Sequence, residues 1–338
     1  MRAATVPDFA GKWELAEVPM VKAGPGDVVI RVRASGLCHN DVWCGDGVYG
    51  RLPVDPPIFG HEAAGEVVEV GPGVTTRKIG DRVGTTWVQA LCRRCDYCRT
   101  NPPLSGTGAA ACRAPSLSGL TVQGSHAEYF VATAASTVLL PDGLSFELAA
   151  PVLCAGYTAW SALRAAWPQP GERVAVVGIG GLGHLAVQFA SACGHETIAV
   201  THTPDKHAVI RSMGADQVVG SGEELDEIGG ADVILLTASS VEAGAQAMKG
   251  LRNEGRMVIA SIDPMNPFTL GAYSQLSVRR QQIIGASHDG LHYLAEALDL
   301  VAAGRVTPMI ERYPAERVNE AVERLRDGDV RFRAVISY

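Results

Sequence analysis

The stretch VAVVGIGGLGHLAVQFASACGHETIAVTHTPDK runs from Val174 to Lys206. It opens on a short β-branched and apolar run, Val174–Val177, which reads as a strand. Gly178, Gly180 and Gly183 follow at G-x-G-x-x-G spacing, with Gly181 and Leu182 inside the turn. Leu185, Ala186, Phe189 and Ala190 then recur at helical spacing up to Cys193-Gly194, and Thr197–Val200 reads as a second strand. The first glycine permits the tight turn, the second lets a pyrophosphate approach the backbone, and the third lets helix and strand pack closely. The start of the helix offers free N–H groups and a partial positive charge to that anion. Placed between a strand and a helix, the motif points to a dinucleotide.

The residues after Val200 bear on which dinucleotide. A site for NAD carries Asp or Glu about 20 residues beyond the glycines, bonded to the ribose 2′-hydroxyl. Here Thr201, His202, Thr203 and Lys206 stand instead, and the first acid, Asp205, falls in the following helix. Hydroxyls and a cation suit a 2′-phosphate, so NADP(H) is expected in preference to NAD(H), with His202 near the adenosine end.

A length of 338 residues suggests two domains. With 47% apolar and 19% charged residues the chain can bury substantial cores, and a net charge of −7 argues against a nucleic-acid surface. No apolar run reaches membrane-spanning length, and the opening MRAATVPDFAGKW has no apolar signal region. A cytoplasmic, reducing setting is the expectation. There, clustered cysteines read as metal ligands rather than disulfides.

Residues 1–155 read as mostly β, with runs at Val28–Val32, Ala64–Val70, Arg82–Val83 and Glu128–Val131 punctuated by Gly and Pro. Over 156–288 strands and helices alternate. Further strands are expected at Gln217–Val219, Asp232–Thr237, Arg256–Ala260 and Gln282–Gly285, which argues for a doubly wound parallel sheet. Helices are expected at Tyr293–Ala303 and Arg317–Arg326, and a last strand at Phe332–Ile336.

Cys92, Cys95, Cys98 and Cys112 form a C-x2-C-x2-C run, then thirteen residues, then a fourth Cys. Four thiolates make a closed tetrahedral zinc site, hence a structural one. An iron–sulfur cluster uses similar steps, but nothing else in the chain suggests electron transfer. A second constellation is dispersed: Cys38 in GLCHND, His61 in GHE and Cys154 in LCAGYT. Two thiolates and one imidazole would leave one zinc position open, as in catalytic Cys2His sites.

Taken with the glycine turn, these segments resemble the zinc-dependent medium-chain alcohol dehydrogenases along essentially the whole chain. The ending GDVRFR, 328–333, is similar to the cinnamyl-alcohol-dehydrogenase-like branch that reduces aldehydes with NADPH. Trp87 to Cys98 and Leu117-Ser118-Gly119 resemble yeast-type members. The resemblance implies an α/β chain with two parts. One is a GroES-like, partly open β-barrel catalytic domain, 1–155 completed by 289–338; the other is a Rossmann cofactor domain, 156–288.

The resemblance also implies roles. Cys38, His61 and Cys154 would bind catalytic zinc, with Glu62 a nearby carboxylate able to join the ligands. Asp41 would orient His61. His39 would lie near the pyrophosphate and Thr158 behind the nicotinamide. Arg331 or Arg333 would add a phosphate contact, and Trp43 and Trp87 would line the substrate pocket. Two zinc ions per chain, a small-molecule substrate and a homodimer or homotetramer are expected.

The chain departs from the family pattern in three places. The Cys98–Cys112 loop is longer than usual, which loop-closure entropy tolerates. Asn40 replaces the Ser or Thr that passes a proton to or from the substrate oxygen, and an amide donates a hydrogen bond but does not relay its proton. Trp43 replaces a histidine that often continues that path. Reversible reduction of an aldehyde or ketone ranks first; reduction of an iminium or of an enal C=C, which needs no such relay, is the alternative. Cys44, Cys193, His126, His184, His195, His207, His288 and His292 show no ligand pattern.

Overall fold

The computed structural model describes residues 1–8, 12–261, 266, 268–269 and 274–338. The chain forms two compact units. One comprises Met1–Cys154, His288–Ala302 and Pro308–Tyr338; the other comprises Ala155–Ser287 with Ala303–Thr307. The expected boundaries, after 155 and after 288, fall one residue from the first two crossings. The segment 303–307 was not assigned to the second unit by sequence. It joins that unit because Gln188 takes the Thr307 N–H on Oε1 at 2.7 Å and donates to the Thr307 carbonyl at 3.1 Å.

The first unit is built on the strand Asp27–Leu37, whose Val28, Val29, Ile30, Val32 and Ala34 are buried. One edge pairs antiparallel with Ala63–Val70. The other is shared: Asp27–Arg31 pair with Tyr129–Thr133, and Ala34–Leu37 pair with Arg333–Ser337. Arg82–Thr85 and Thr137–Leu139 extend the sheet on one side, and Ile310–Pro314 on the other. The register Ser35↔Ala63 sets the end of one strand against the start of its partner. Cys38 and His61 lie just outside those two residues. An N-terminal hairpin, Arg2–Thr5 with Glu14–Glu17, and the strand Ile310–Pro314 were not expected; all three are short and none combines clean alternation with a turn signal.

The second unit holds six parallel strands in the order Gln217–Val219, Glu196–Val200, Arg173–Val177, Ala231–Leu236, Leu251–Ile259, Gln282–Gly285. In chain order this is 3-2-1-4-5-6, the doubly wound arrangement, with its switch point beside the first strand. That strand is buried at all five positions, and after Arg173 its sequence is a continuous apolar run, Val174–Val177, rather than an alternation. Gly178 follows with φ +88°, and a Cβ there would overlap Ala238. The helix Gly183–Ala192 starts so close to the turn that a Cβ on Gly183 would overlap the Gly178 carbonyl oxygen. A Cβ on Gly180 would meet nothing within 4 Å.

These contacts separate two substitutions. Gly183→Ala is expected to destabilise the second unit by about 1–3 kcal/mol, because helix and turn must move apart. Gly180→Ala is expected to stay within about 0.5 kcal/mol of the parent. Urea unfolding of both variants checks this, and equal midpoints for the two would contradict the packing account.

Candidate functional site

Cys38 directly follows the central strand of the first unit and precedes the helix His39–Gly45. His61 and Glu62 come immediately before Ala63–Val70, and Cys154 follows the short helical turn Ala150–Leu153. The structure brings all four together: one ligand atom from each lies within 4.8 Å of the others. Cys38, His61 and Glu62 are buried and Cys154 is half-buried.

Asp41 organises this set. Its Oδ1 is 2.8 Å from His61 Nδ1, and its Oδ2 accepts the Cys38 backbone N–H at 2.9 Å. A second buried histidine, His126, brings Nε2 to 3.2 Å from the same Oδ2. Burial raises the pKa of Asp41, but His61 and His126 outweigh it and hold the carboxyl well below the usual range. A carboxylate only accepts, so His61 carries its hydrogen on Nδ1 and turns Nε2 towards the cysteines. Burial works against charge on His61, yet Asp41 raises its pKa. The Cys154 thiol donates to Cys38 and holds Cys38 low, while Cys154 itself is pushed up.

Glu62 is fully buried, and both its oxygens accept from Arg333 Nη2, at 2.5 and 2.7 Å. Burial outweighs the guanidinium and lifts Glu62 to about 7. A Cβ on Gly36 would overlap the Glu62 carboxylate, so this close approach requires glycine. Of the two C-terminal arginines left open by sequence, Arg333 thus lies inside the cluster and Arg331 is exposed.

Cys92, Cys95, Cys98 and Cys112 also converge, with ligand atoms within 4.8 Å of one another. The Cys98–Cys112 and Cys92–Cys98 sulfurs stand 3.7 and 3.9 Å apart. Tetrahedral thiolates at zinc–sulfur distances near 2.3 Å stand about 3.8 Å apart, so the spacing fits an ion and excludes a disulfide. The long loop is taken up by a helix, Gly106–Ala111, capped by Ser105 Oγ on the Gly108 N–H at 2.9 Å. Backbone N–H groups of Arg94 and Cys95 hold Cys92 at about 6, whereas burial pushes Cys98 up to about 12.

Asn40 Oδ1 accepts from the Tyr49 hydroxyl at 2.9 Å. Trp43 is half-buried beside His39, with ring centroids 6.2 Å apart, and His39 is exposed. Trp87 Nε1 donates to His288 Nδ1 at 3.0 Å, and His288 Nε2 lies 3.4 Å from the Cys154 carbonyl. An Nε2–H tautomer satisfies both bonds. Burial pushes His288 down to about 3, so the ring is neutral. His126, His288, Tyr49 and the Arg333–Glu62 pair carry no sequence pattern that marks them.

In the second unit Thr158 lies in the helix Ala155–Ala166. Gly178, Gly180, Gly181, Leu182 and Gly183 form the turn, and His184 Nδ1 lies 3.1 Å from the Gly180 carbonyl. Thr201 is buried and its hydroxyl takes the Thr203 N–H at 3.3 Å; His202 is exposed. Lys206 Nζ donates to the Ile179 carbonyl at 3.4 Å, which sets its charge beside the glycine turn.

Residues 24–142 match the Alcohol dehydrogenase GroES-like domain, and residues 181–303 match the Zinc-binding dehydrogenase domain. An alcohol dehydrogenase of Geobacillus stearothermophilus is 37% identical over 342 residues, covering 99% of both chains. The chain belongs to the zinc-dependent medium-chain alcohol dehydrogenase family. The NADP-dependent alcohol dehydrogenase C 1 of Mycolicibacterium smegmatis is 34% identical over 319 residues, 93% of this chain and 90% of that protein. Among solved structures, a cinnamyl alcohol dehydrogenase from Sorghum bicolor has TM-score 0.86 at 30% identity, covering 99% of this chain and 97% of that one. The first unit of this dehydrogenase is therefore the GroES-like part and the second the Rossmann part. No helix among the described residues is long and apolar enough to cross a membrane.

Glu62 supplies a pH test. Its value of about 7 lies above the ordinary carboxylate value near 4.3, so the folded chain binds the extra proton between them. The stability owed to this group therefore falls as pH rises through that window. Arg333→Met leaves the buried carboxylate unpaired, and is expected to cost about 3–5 kcal/mol at pH 8 and clearly less at pH 5. Urea unfolding of chelator-treated protein across this range checks it; a cost independent of pH would contradict the pairing.

Proposed function

We propose that this enzyme is a zinc-dependent, NADP(H)-preferring alcohol dehydrogenase that interconverts an alcohol with its aldehyde or ketone. The observation that carries the reading is the convergence of Cys38, His61 and Cys154, with Asp41 fixing the His61 tautomer. Two thiolates, an imidazole nitrogen and a buried carboxylate are a donor set that suits zinc. Cys38 Sγ, Cys154 Sγ and His61 Nε2 would hold the ion, with Glu62 as an exchangeable carboxylate, and the four-cysteine set would hold a structural ion. When bound, zinc supplies Lewis-acid polarisation of the substrate oxygen, and the reduced nicotinamide supplies hydride to the carbonyl carbon.

The chain's own residues define the rest. Asp41 keeps a proton on His61 Nδ1 and tethers the Cys38 backbone. Asn40 donates a hydrogen bond through its amide but relays no proton, and Trp43 offers no base, so the product proton comes from solvent or a substrate group. Gly180 leaves the space that a pyrophosphate would fill. Thr201, Thr203 and Lys206 present hydroxyls and a cation, without a carboxylate, to a 2′-phosphate; the NADP-dependent relative from Mycolicibacterium smegmatis supports this preference. The relatives named above are alcohol dehydrogenases, which favours the alcohol–carbonyl reaction over the iminium or enal alternative.

Metal analysis is expected to return about two zinc ions per chain. Initial rates with a panel of aldehydes and ketones are expected to be higher with NADPH than with NADH. Metal-free protein, or an NADH preference, would overturn the corresponding half of the proposal. Asn40→Ser is expected to raise carbonyl reduction and shift its pH profile by restoring a hydroxyl to the proton path. An unchanged rate and profile would count against the relay account.

A further inference from the structure

His126 matches no ligand pattern, yet it is fully buried with its ring turned onto Asp41. The His61 ring N–H and the Cys38 N–H both donate to that carboxylate, which has only accepting atoms to offer. His126 Nε2 therefore carries a hydrogen as well. Among the described residues, Nδ1 of the same ring meets no hydrogen-bond partner.

The surroundings hold this ring tightly. The His126 N–H donates to the Phe59 carbonyl at 2.9 Å, and its carbonyl accepts the Ala4 N–H at 2.8 Å. The Ser125 N–H donates to the Gly60 carbonyl at 3.0 Å. A Cβ on Gly60, whose φ is +99°, would stand 2.7 Å from His126 Cδ2. Trp13 closes the far side, edge to face, with centroids 5.6 Å apart. Gly60 precedes His61, so both imidazoles reach Asp41 from one backbone pairing. A phenylalanine would fill the same apolar space without burying an unsatisfied nitrogen, which is unfavourable. What the imidazole adds is the Nε2–H bond to Asp41.

We infer that His126 is a positioning residue for the metal centre: its Nε2–H pins Asp41 Oδ2, so that Oδ1 stays on His61 Nδ1 and His61 Nε2 stays free for the ion. This rests on the zinc reading above. Residues that orient a ligand in this way alter metal affinity on the order of 10–100-fold when replaced.

The experiment compares zinc-loaded wild type, His126→Phe and His126→Gln in competition with a chelating indicator, with far-UV circular dichroism checking the fold. Gln keeps an N–H donor where Nε2 stands; Phe keeps only the ring. The expected result is about 10–100-fold weaker zinc binding at the Cys38 site in His126→Phe. His126→Gln is expected within a few-fold of wild type, and the four-cysteine zinc unchanged in both. Wild-type retention in His126→Phe overturns the inference while the zinc reading stands. Equal losses in the Phe and Gln variants do the same, as would loss of both ions together, which marks a packing effect. Wild type with no zinc at the Cys38 site overturns both.

Discussion

A carboxylate buried at the end of the central β-sheet accepts three donors from three separate segments. The Cys38 N–H, His61 Nδ1 and His126 Nε2 all point at Asp41. Burial alone would protonate such a group; the donors keep it ionised. The dependence runs both ways. Asp41 requires the donors to remain charged in an apolar setting, and Cys38 and His61 require Asp41 to hold their orientation. The sheet makes this possible, because Ser35↔Ala63 pairing places residues 38 and 61 at neighbouring ends of adjacent strands. A one-residue slip would turn the side chains of one strand to the opposite face and disperse the cluster.

Close backbone approach is the second constraint, and it recurs in both units. Gly36 makes room for the Glu62 carboxylate, Gly60 for the His126 ring, and Gly65 for the Arg31 carbonyl. In the second unit Gly183 lets a helix begin against the carbonyl of Gly178. A methyl group at any of these positions would displace a polar group whose direction matters. The glycines are thus part of the electrostatics. They fix where a carboxylate, an imidazole or a set of N–H groups stands, and the charged residues then act from those places.

Features whose chemistry is local were legible in the sequence. Val174–Ala192 shows its strand, its turn and its helix in one short stretch, and the repeated strand–helix alternation pointed to a doubly wound parallel sheet, whose strand order only the structure gives. The C-x2-C-x2-C run is equally compact. Long-range pairs were not legible. His126 meets Asp41 across 85 residues, Trp87 meets His288 across 201, and Arg333 meets Glu62 across 271. No local spacing or periodicity in either member of a pair points to its partner. The long Cys98–Cys112 loop was obscure for another reason. Its helix, GTGAAA, carries two glycines that disfavour helix, and tertiary packing with a Ser105 cap forms it nonetheless.

The Asn40–Tyr49 pair narrows the routes for a proton. Burial lifts the Tyr49 hydroxyl to about 12, so near neutral pH it remains a donor. Its hydrogen is committed to Asn40 Oδ1, which leaves the two amide hydrogens of Asn40 for other acceptors. A substrate oxygen placed beside Asn40 would therefore receive a hydrogen bond from a group that neither releases nor takes up a proton. Such a donor stabilises developing negative charge without coupling it to a relay. Stabilising charge and supplying the proton would thus be separate tasks. On the proposed reaction the first would fall to fixed donors, and the second to solvent or to the substrate itself.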